Sequence, residues 1–299
     1  VNSPIKWHGG KHYLAKQINA LMGEHLHYVE THGGGLNVLL HHDFEGRSEV
    51  ANDLDYKLTN FWRVLQRESL FAEFRRTIEA MPFSQVEWED AINPPFDCNK
   101  PEPCVKCALD FFVSCRQSLA GRMKSFAPLS KSRVRRGMSE QASAWLTTIA
   151  ELPQVHHRLQ RVVIKCEDAF DCIRTEDSLT TLFYCDPPYV PDTRASKTVY
   201  KHEYSLDQHE QLLWLLGRIK GKAIISGYDC DLYARMLKDW YQFRFEVPNH
   251  AAGGDGKRVM VECLWLNYQP LKVTHAEREQ DVREPDDRGE EREAEGGQP

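Results

Sequence analysis

No apolar run in these 299 residues approaches eighteen, the length a membrane-crossing helix needs, so no segment reads as membrane-spanning. The start, Val1-Asn2-Ser3-Pro4, lacks the charged-then-apolar pattern of a secretion signal, and a cytoplasmic protein is expected. Nine cysteines, an odd number scattered through predicted strands and helices, make no disulfide framework and indicate reduced thiols. Both the six-residue dinucleotide fingerprint and the phosphate-loop Lys-Ser/Thr pair are missing, which leaves nicotinamide and ATP chemistry without support. One further absence is local: no Asp or Glu lies between Asp110 and Glu140, whereas Arg116, Arg122, Lys124, Lys131, Arg133, Arg135 and Arg136 do. A net charge of −6 argues at first against a polyanionic partner, but residues 272–299 carry ten acids and five bases, which leaves 33 bases against 34 acids elsewhere. A basic block inside a near-neutral body suits phosphate contact, although a solvated helix and loop would look the same.

What is present centres on Leu182-Phe183-Tyr184-Cys185-Asp186-Pro187-Pro188-Tyr189. An apolar run bounded by prolines predicts a buried strand stopping at Asp186, which puts a carboxylate at a strand's carboxyl end, where open α/β sheets place ligands. Two prolines stiffen the turn and have no N–H groups, so local amide donors do not engage their carbonyls. Asp186, the Pro187 carbonyl and the flat ring of Tyr189 together suit a planar heterocycle with an exocyclic amine. The plainer reading is that Pro187 and Pro188 only end a strand. A second copy, Asn93-Pro94-Pro95-Phe96, follows the charged Val86-Glu87-Trp88-Glu89-Asp90, which has no strand pattern, and is taken as a decoy.

Near the start, Gly9-Gly10-Lys11 precedes a helical pattern with Leu14, Ile18, Leu21 and Met22 on one face. Glycines before a helix let N–H groups reach an anion, and Lys11 adds a charge there, although such a sequence is often only a turn. His27-Tyr28-Val29-Glu30 reads as a strand, followed by Gly33-Gly34-Gly35 and the apolar run from Leu36 to Leu40, an order that brings a nucleoside close to main chain. A second strand, Ser48 to Ala51, runs into Asn52-Asp53-Leu54-Asp55, and Asp53 stands where ribose hydroxyls would find an acceptor.

This order of motifs resembles the Dam-like (D12 class) adenine-specific DNA methyltransferases: Lys6-Trp7-His8-Gly9-Gly10-Lys11, Glu30 with the triple glycine, Asn52-Asp53-Leu54-Asp55, a basic middle, then Asp-Pro-Pro-Tyr. The resemblance covers about residues 3 to 268 and is nearest to phage and prophage members. It departs from the family after Glu30, where Thr31-His32 replace the usual Pro and aromatic. The resemblance implies S-adenosyl-L-methionine as cofactor and double-stranded DNA as substrate. Cofactor contacts are expected from Trp7, Lys11, Glu30, Gly33, Gly35, Asp53 and Asp186, and catalysis from Asp186, Pro187, Pro188 and Tyr189. No metal is expected: Cys98, Cys104, Cys107 and Cys115 contain one zinc-like Cys-x-x-Cys and lack a second close pair.

The fold expected is α/β, a Rossmann-like methyltransferase fold with a mixed seven-stranded sheet, a C-terminal antiparallel hairpin (strands near 243–247 and 259–266) and an inserted helical target-recognition domain. Residues 1–56 and 160–271 form the catalytic domain, 57–159 the insert, which is too long for a simple crossover, and 272–299 a disordered acidic tail. The insert holds the basic block, so Arg116, Arg122, Lys124, Arg133, Arg135 and Arg136 are the candidate DNA contacts, to guanine edges or to phosphates. The polar stretch 192–197 is a loop that could close over an extracted base. A monomer is expected, and a cognate restriction endonuclease stays open as a partner. Three alternatives remain: methylation of adenine in RNA, methylation of the cytosine amine in DNA, and a DNA-binding relative that has lost catalysis.

Overall fold

The structure is a computed structural model that describes residues 1–94, 102–193, 202–248, 259–270 and 282–283. The loop at 194–201, the turn at 249–258, Cys98, Pro95 and Phe96 lie outside the described residues, as does most of the acidic tail. The chain divides into two compact units, Val1–Ala20 with Leu26–Thr175, and Leu21–His25 with Glu176–Pro299. Among the described residues seven strands have four residues or more, and they alternate with helices in an α/β arrangement. No helix among the described residues is long and apolar enough to cross a membrane.

In the first unit, β1 (His27–Glu30) lies parallel to β2 (Ser48–Asn52), with Glu30 opposite Ala51. Parallel neighbours need a crossover, which here runs through α2 (Asn37–His41), while α1 (Ala15–Leu21) precedes β1. Next come α3 (Tyr56–Gln66), α4 (Glu68–Glu79), α5 (Gln85–Ile92) and α6 (Val105–Arg116). Val86 to Asp90, ahead of the second Pro-Pro copy, are therefore helical. The Asp55 side chain accepts from the Lys57 amide and caps α3, whose apolar stripe buries Leu58, Phe61, Trp62 and Leu65. Phe61 stacks on Phe112 of α6 at 5.7 Å and meets Phe74 of α4 edge-on, so aromatic rings form the helical core.

A hairpin absent from the helical expectation follows: β3 (Val134–Arg135) pairs antiparallel with β4 (Met138–Ser139). Its two turn residues, Arg136 at φ 55° and Gly137 at φ 73°, are both left-handed, the geometry whose twist matches paired strands. An Arg-Gly turn lacks the Asn-Gly or Asp-Gly signature that usually announces it. After α7 (Glu140–Leu159), β5 (Val162–Lys165) joins β2 in parallel, and α8 (Ala169–Glu176) follows, with Asp168 accepting from the Phe170 amide.

The end of α7 is tied to this sheet by charge. Arg158 forks Glu49 of β2 with two bonds of 2.6 Å and gives a third, of 2.7 Å, to the Leu39 carbonyl. His42 Nδ1 sits 2.7 Å from Glu49, and its ring stacks on Tyr28 of β1 at 4.3 Å.

In the second unit, β6 (Thr181–Cys185) is buried at all five residues and runs parallel to β7 (Lys222–Gly227). The expected antiparallel hairpin is present: β8 (Tyr241–Pro248) pairs with β9 (Val259–Leu266), and β9 also pairs antiparallel with β7. Helix α9 (Leu206–Leu216) starts with a complete capping box from Ser205 and Gln208, and α10 (Asp231–Met236) follows β7. One part of the expected disordered tail differs, since Val282–Arg283 form β10 against β8.

Burial pushes the Glu49 carboxyl up, but the hydrogen bonds from His42 and Arg158 more than offset this and hold it below its usual range. A depressed folded value gives stability that is present above the ordinary carboxylate range and is lost as pH falls through the folded value. Arg158→Met leaves Glu49 buried without its main partner and is expected to lower unfolding free energy by about 3–5 kcal/mol at neutral pH in urea titration. That deficit should shrink at acid pH, and a pH-independent deficit would contradict the pairing.

Candidate active site

The turn after β1 is built by backbone demands. Asp53, the first residue after β2, accepts from the Gly34 amide through Oδ2 and from the Asp55 amide through Oδ1, both at 2.8 Å. The Gly33 amide donates to the Asn52 carbonyl at 2.7 Å, and Trp62 Nε1 to the Gly34 carbonyl at 3.2 Å. Gly34 has φ +49°, and a Cβ there would meet the Trp7 indole nitrogen at 2.7 Å, so conformation and space both require glycine. The Trp7 indole thus lies directly on the glycine turn. Leu36, at φ 52°, is a left-handed non-glycine residue at the start of α2, a conformation that costs about 1–2 kcal/mol and that the surrounding turn must hold.

Asn52 joins the three strand ends, donating to the carbonyls of Thr31 and Glu167 and accepting from the Glu167 amide. Thr31 is buried, and its Oγ1 is 2.9 Å from His32 Nδ1. Beside these ends lies a small recess whose wall includes Gly33, Asp53, Trp62, Ile164 and Lys165. An acceptor carboxylate, an indole and an aliphatic side chain gather there around a glycine turn. Trp7, Gly33, Gly35 and Asp53 come together here: a Cβ on Gly35 would lie 3.1 Å from Trp7 Cβ.

Glu30 is tied inward, accepting from the Tyr28 hydroxyl and the Leu39 amide, so it braces β1 against α2. Lys11 is buried with Nζ donating to the Gly9 carbonyl at 2.8 Å. Helix α1 begins only at Ala15, so Gly9 and Gly10 do not open directly onto a helix N-terminus, unlike the expectation from their spacing.

In the second unit, Asp186 follows β6 directly, and its Oδ1 accepts from Ser226 Oγ at 2.7 Å. Pro187 is buried, Pro188 partly so, and Tyr189 is 4% exposed. The Tyr189 hydroxyl donates to Glu262 Oε2 at 2.5 Å, and its ring meets Tyr228 edge-on at 4.7 Å. Burial above all, then the negative charges of Asp186 and Glu262, pushes the Tyr189 phenol well above its ordinary value, so it stays a donor. Ser226, Tyr228 and Glu262 were not singled out from sequence. Their signals were faint: a serine closing the apolar run Ala223-Ile224-Ile225, and a single acid inside the strand Val259–Leu266.

Residues 7–252 match the sequence profile of the D12 class N6 adenine-specific DNA methyltransferases. The chain belongs to that family. It is similar to the DNA adenine methylase of Salmonella typhi, with 24% identity over 289 residues, 91% of this chain and 97% of the relative. The DNA adenine methylase of Escherichia coli K12 is 22% identical over 291 residues, covering 92% and 98%, and that of Serratia marcescens 22% over 252 residues, covering 80% and 86%. As a member of this family the protein is an adenine-specific DNA methyltransferase, and DNA is its substrate.

The basic block of this methyltransferase is split by its folding. Arg122, Lys124, Arg133, Arg135 and Arg136 are exposed, the last three at the β3–β4 hairpin. Arg116 is half-buried and donates through Nη2 to Thr148 of α7 at 2.5 Å. Burial lowers its pKa against the opposing charges of Cys115 and Glu151. Among the described residues no group of three or more metal-ligating side chains gathers.

Replacing Arg135 and Arg136 together by Ala should reduce the slope of log affinity for duplex DNA against log salt by about two. Arg116→Met should leave that slope unchanged. An equal loss of slope on removing Arg116 would place it on phosphate instead.

Proposed function

We propose that this methyltransferase uses S-adenosyl-L-methionine to methylate the N6 amine of an adenine flipped out of duplex DNA, with Asp186 and the Pro187 carbonyl accepting the amine hydrogens. What supports the reading is the carboxylate of Asp186, anchored at the carboxyl end of a buried strand and followed by a rigid Pro-Pro turn. Adenine's amine is a poor nucleophile because its lone pair is delocalised into the ring. Two acceptors placed along its N–H bonds favour a pyramidal nitrogen and stabilise the charge that develops on it. When bound, S-adenosyl-L-methionine supplies a methyl carbon on sulfonium: the new N–C bond forms as the C–S pair returns to sulfur, and one amine proton leaves to water.

Trp7, Lys11, Glu30, Gly33, Gly35, Asp53 and Asp186 form the cofactor set, Glu30 and Lys11 by bracing the loops that carry the others. Tyr189 serves as the platform for the base, its ring plane fixed by Glu262. Extracting the base costs a few kcal/mol of stacking and pairing, which contacts from the exposed arginines repay. Residues 57–159 act as the target-recognition insert between the two parts of the catalytic domain, 1–56 and 160–271. The enzyme works as a monomer in the cytoplasm, and a restriction endonuclease partner would cut the sequence that it protects.

Incubating the purified protein with labelled cofactor and duplex DNA, then analysing nucleosides, should yield N6-methyladenine. Asp186→Ala should lower kcat by about a hundredfold or more. Label on cytosine, label only with RNA, or a fully active Asp186→Ala protein would each overturn the reading.

A further inference from the structure

We infer that Ser226 is a positioning residue for methyl transfer, its hydroxyl fixing the plane in which the Asp186 carboxylate meets the adenine amine. This rests on the role proposed above for Asp186. The arrangement follows from strand register. Tyr184 pairs with Ile224 and Cys185 with Ile225 in the parallel β6–β7 ladder, so the next step sets Asp186 beside Ser226. Side chains alternate along a strand, which puts Asp186 on the same face as Tyr184.

Three oxygens surround Ser226 Oγ: Asp186 Oδ1 at 2.7 Å, the Tyr184 hydroxyl at 3.2 Å and the Cys185 carbonyl at 3.3 Å. A serine hydroxyl has one proton to give. The shortest contact, to a charged acceptor, takes it, because charge-assisted hydrogen bonds are the stronger ones. Tyr184 then donates its own proton to Ser226 Oγ. The result is a directed relay, Tyr184 to Ser226 to Asp186, whose first two members are at most 1% exposed.

A carboxylate turns about its Cβ–Cγ bond unless something holds it. Accepting from the amine only in the right direction requires that rotation to be stopped before the base arrives, which is the task of a preorganised donor. Ser226 meets that need from the rigid strand next door and touches neither base nor cofactor in this role.

The test is kcat and both KM values for the full chain, with thermal melting alongside. Ser226→Ala should lower kcat about ten- to a hundredfold with KM for DNA and cofactor within about twofold, the fold-change a lost hydrogen bond to a charged group carries. Ser226→Thr keeps the hydroxyl and should stay within about threefold of the parent kcat. If Ser226→Ala does not fold, Tyr184→Phe decides, with a fall in kcat of about threefold or more expected from freeing the serine rotor. A Ser226→Ala enzyme at parent kcat beside an inactive Asp186→Ala enzyme overturns this inference alone, as does a Ser226→Thr enzyme as slow as the alanine. Full activity in Asp186→Ala overturns the proposed function itself.

Discussion

An acid in the first position after a parallel strand is clamped by a donor from the neighbouring strand or the turn that follows it. This happens in each unit: Asp53 after β2 accepts from Gly34, which follows β1, and Asp186 after β6 accepts from Ser226 of β7. The constraint behind it is general. Strand ends leave polar main chain and side chains where the ladder stops, and those groups must find partners or water. A carboxylate held by protein donors at such an end is already oriented when a ligand arrives, so less freedom is lost on binding.

The surroundings of each acid maintain that clamp. Around Asp53, Trp7 covers Gly34, Trp62 holds the Gly34 carbonyl, and Asn52 spans three strand ends. The left-handed Leu36 is tolerated because the same turn is fixed at both sides. Below it, Arg158, Glu49 and His42 bind α7 to the sheet, which joins the helix that adjoins the basic hairpin to the strand that ends near Asp53. Around Asp186, the Tyr184 hydroxyl steadies Ser226, and Glu262 steadies the phenol of Tyr189.

Local features of this kind were legible in the sequence. The run from Leu182 to Cys185 ended by Asp-Pro-Pro announced β6, Ser205 with Gln208 announced the cap of α9, and the glycines after β1 announced a turn, whereas the bond from its Gly34 amide to Asp53, expected only as an acceptor for ribose, was not foreseen. What sequence could not disclose depends on pairing. Ser226 lies 40 positions from Asp186 and Glu262 73 positions from Tyr189, and only strand register makes them neighbours. Charge counting treated Arg116 and Arg135 alike, because it carries no direction. Arg116 is at the last turn of α6 and points to Thr148, while Arg135 stands on an exposed hairpin whose Arg-Gly turn has no strong signature. Glu30 was placed correctly beside the glycines, yet its carboxylate is bonded to Tyr28 and to the α2 backbone.

Isothermal titration of S-adenosyl-L-methionine into the parent chain and into Asp53→Asn tests most directly whether a clamped strand-end acid forms a cofactor site. Asparagine keeps an acceptor for one amide and loses the charge, and melting curves check that the fold survives. The parent should bind, and Asp53→Asn should bind about tenfold more weakly or worse at an unchanged melting temperature. Equal affinity in the two proteins, or no binding by the parent, would contradict it.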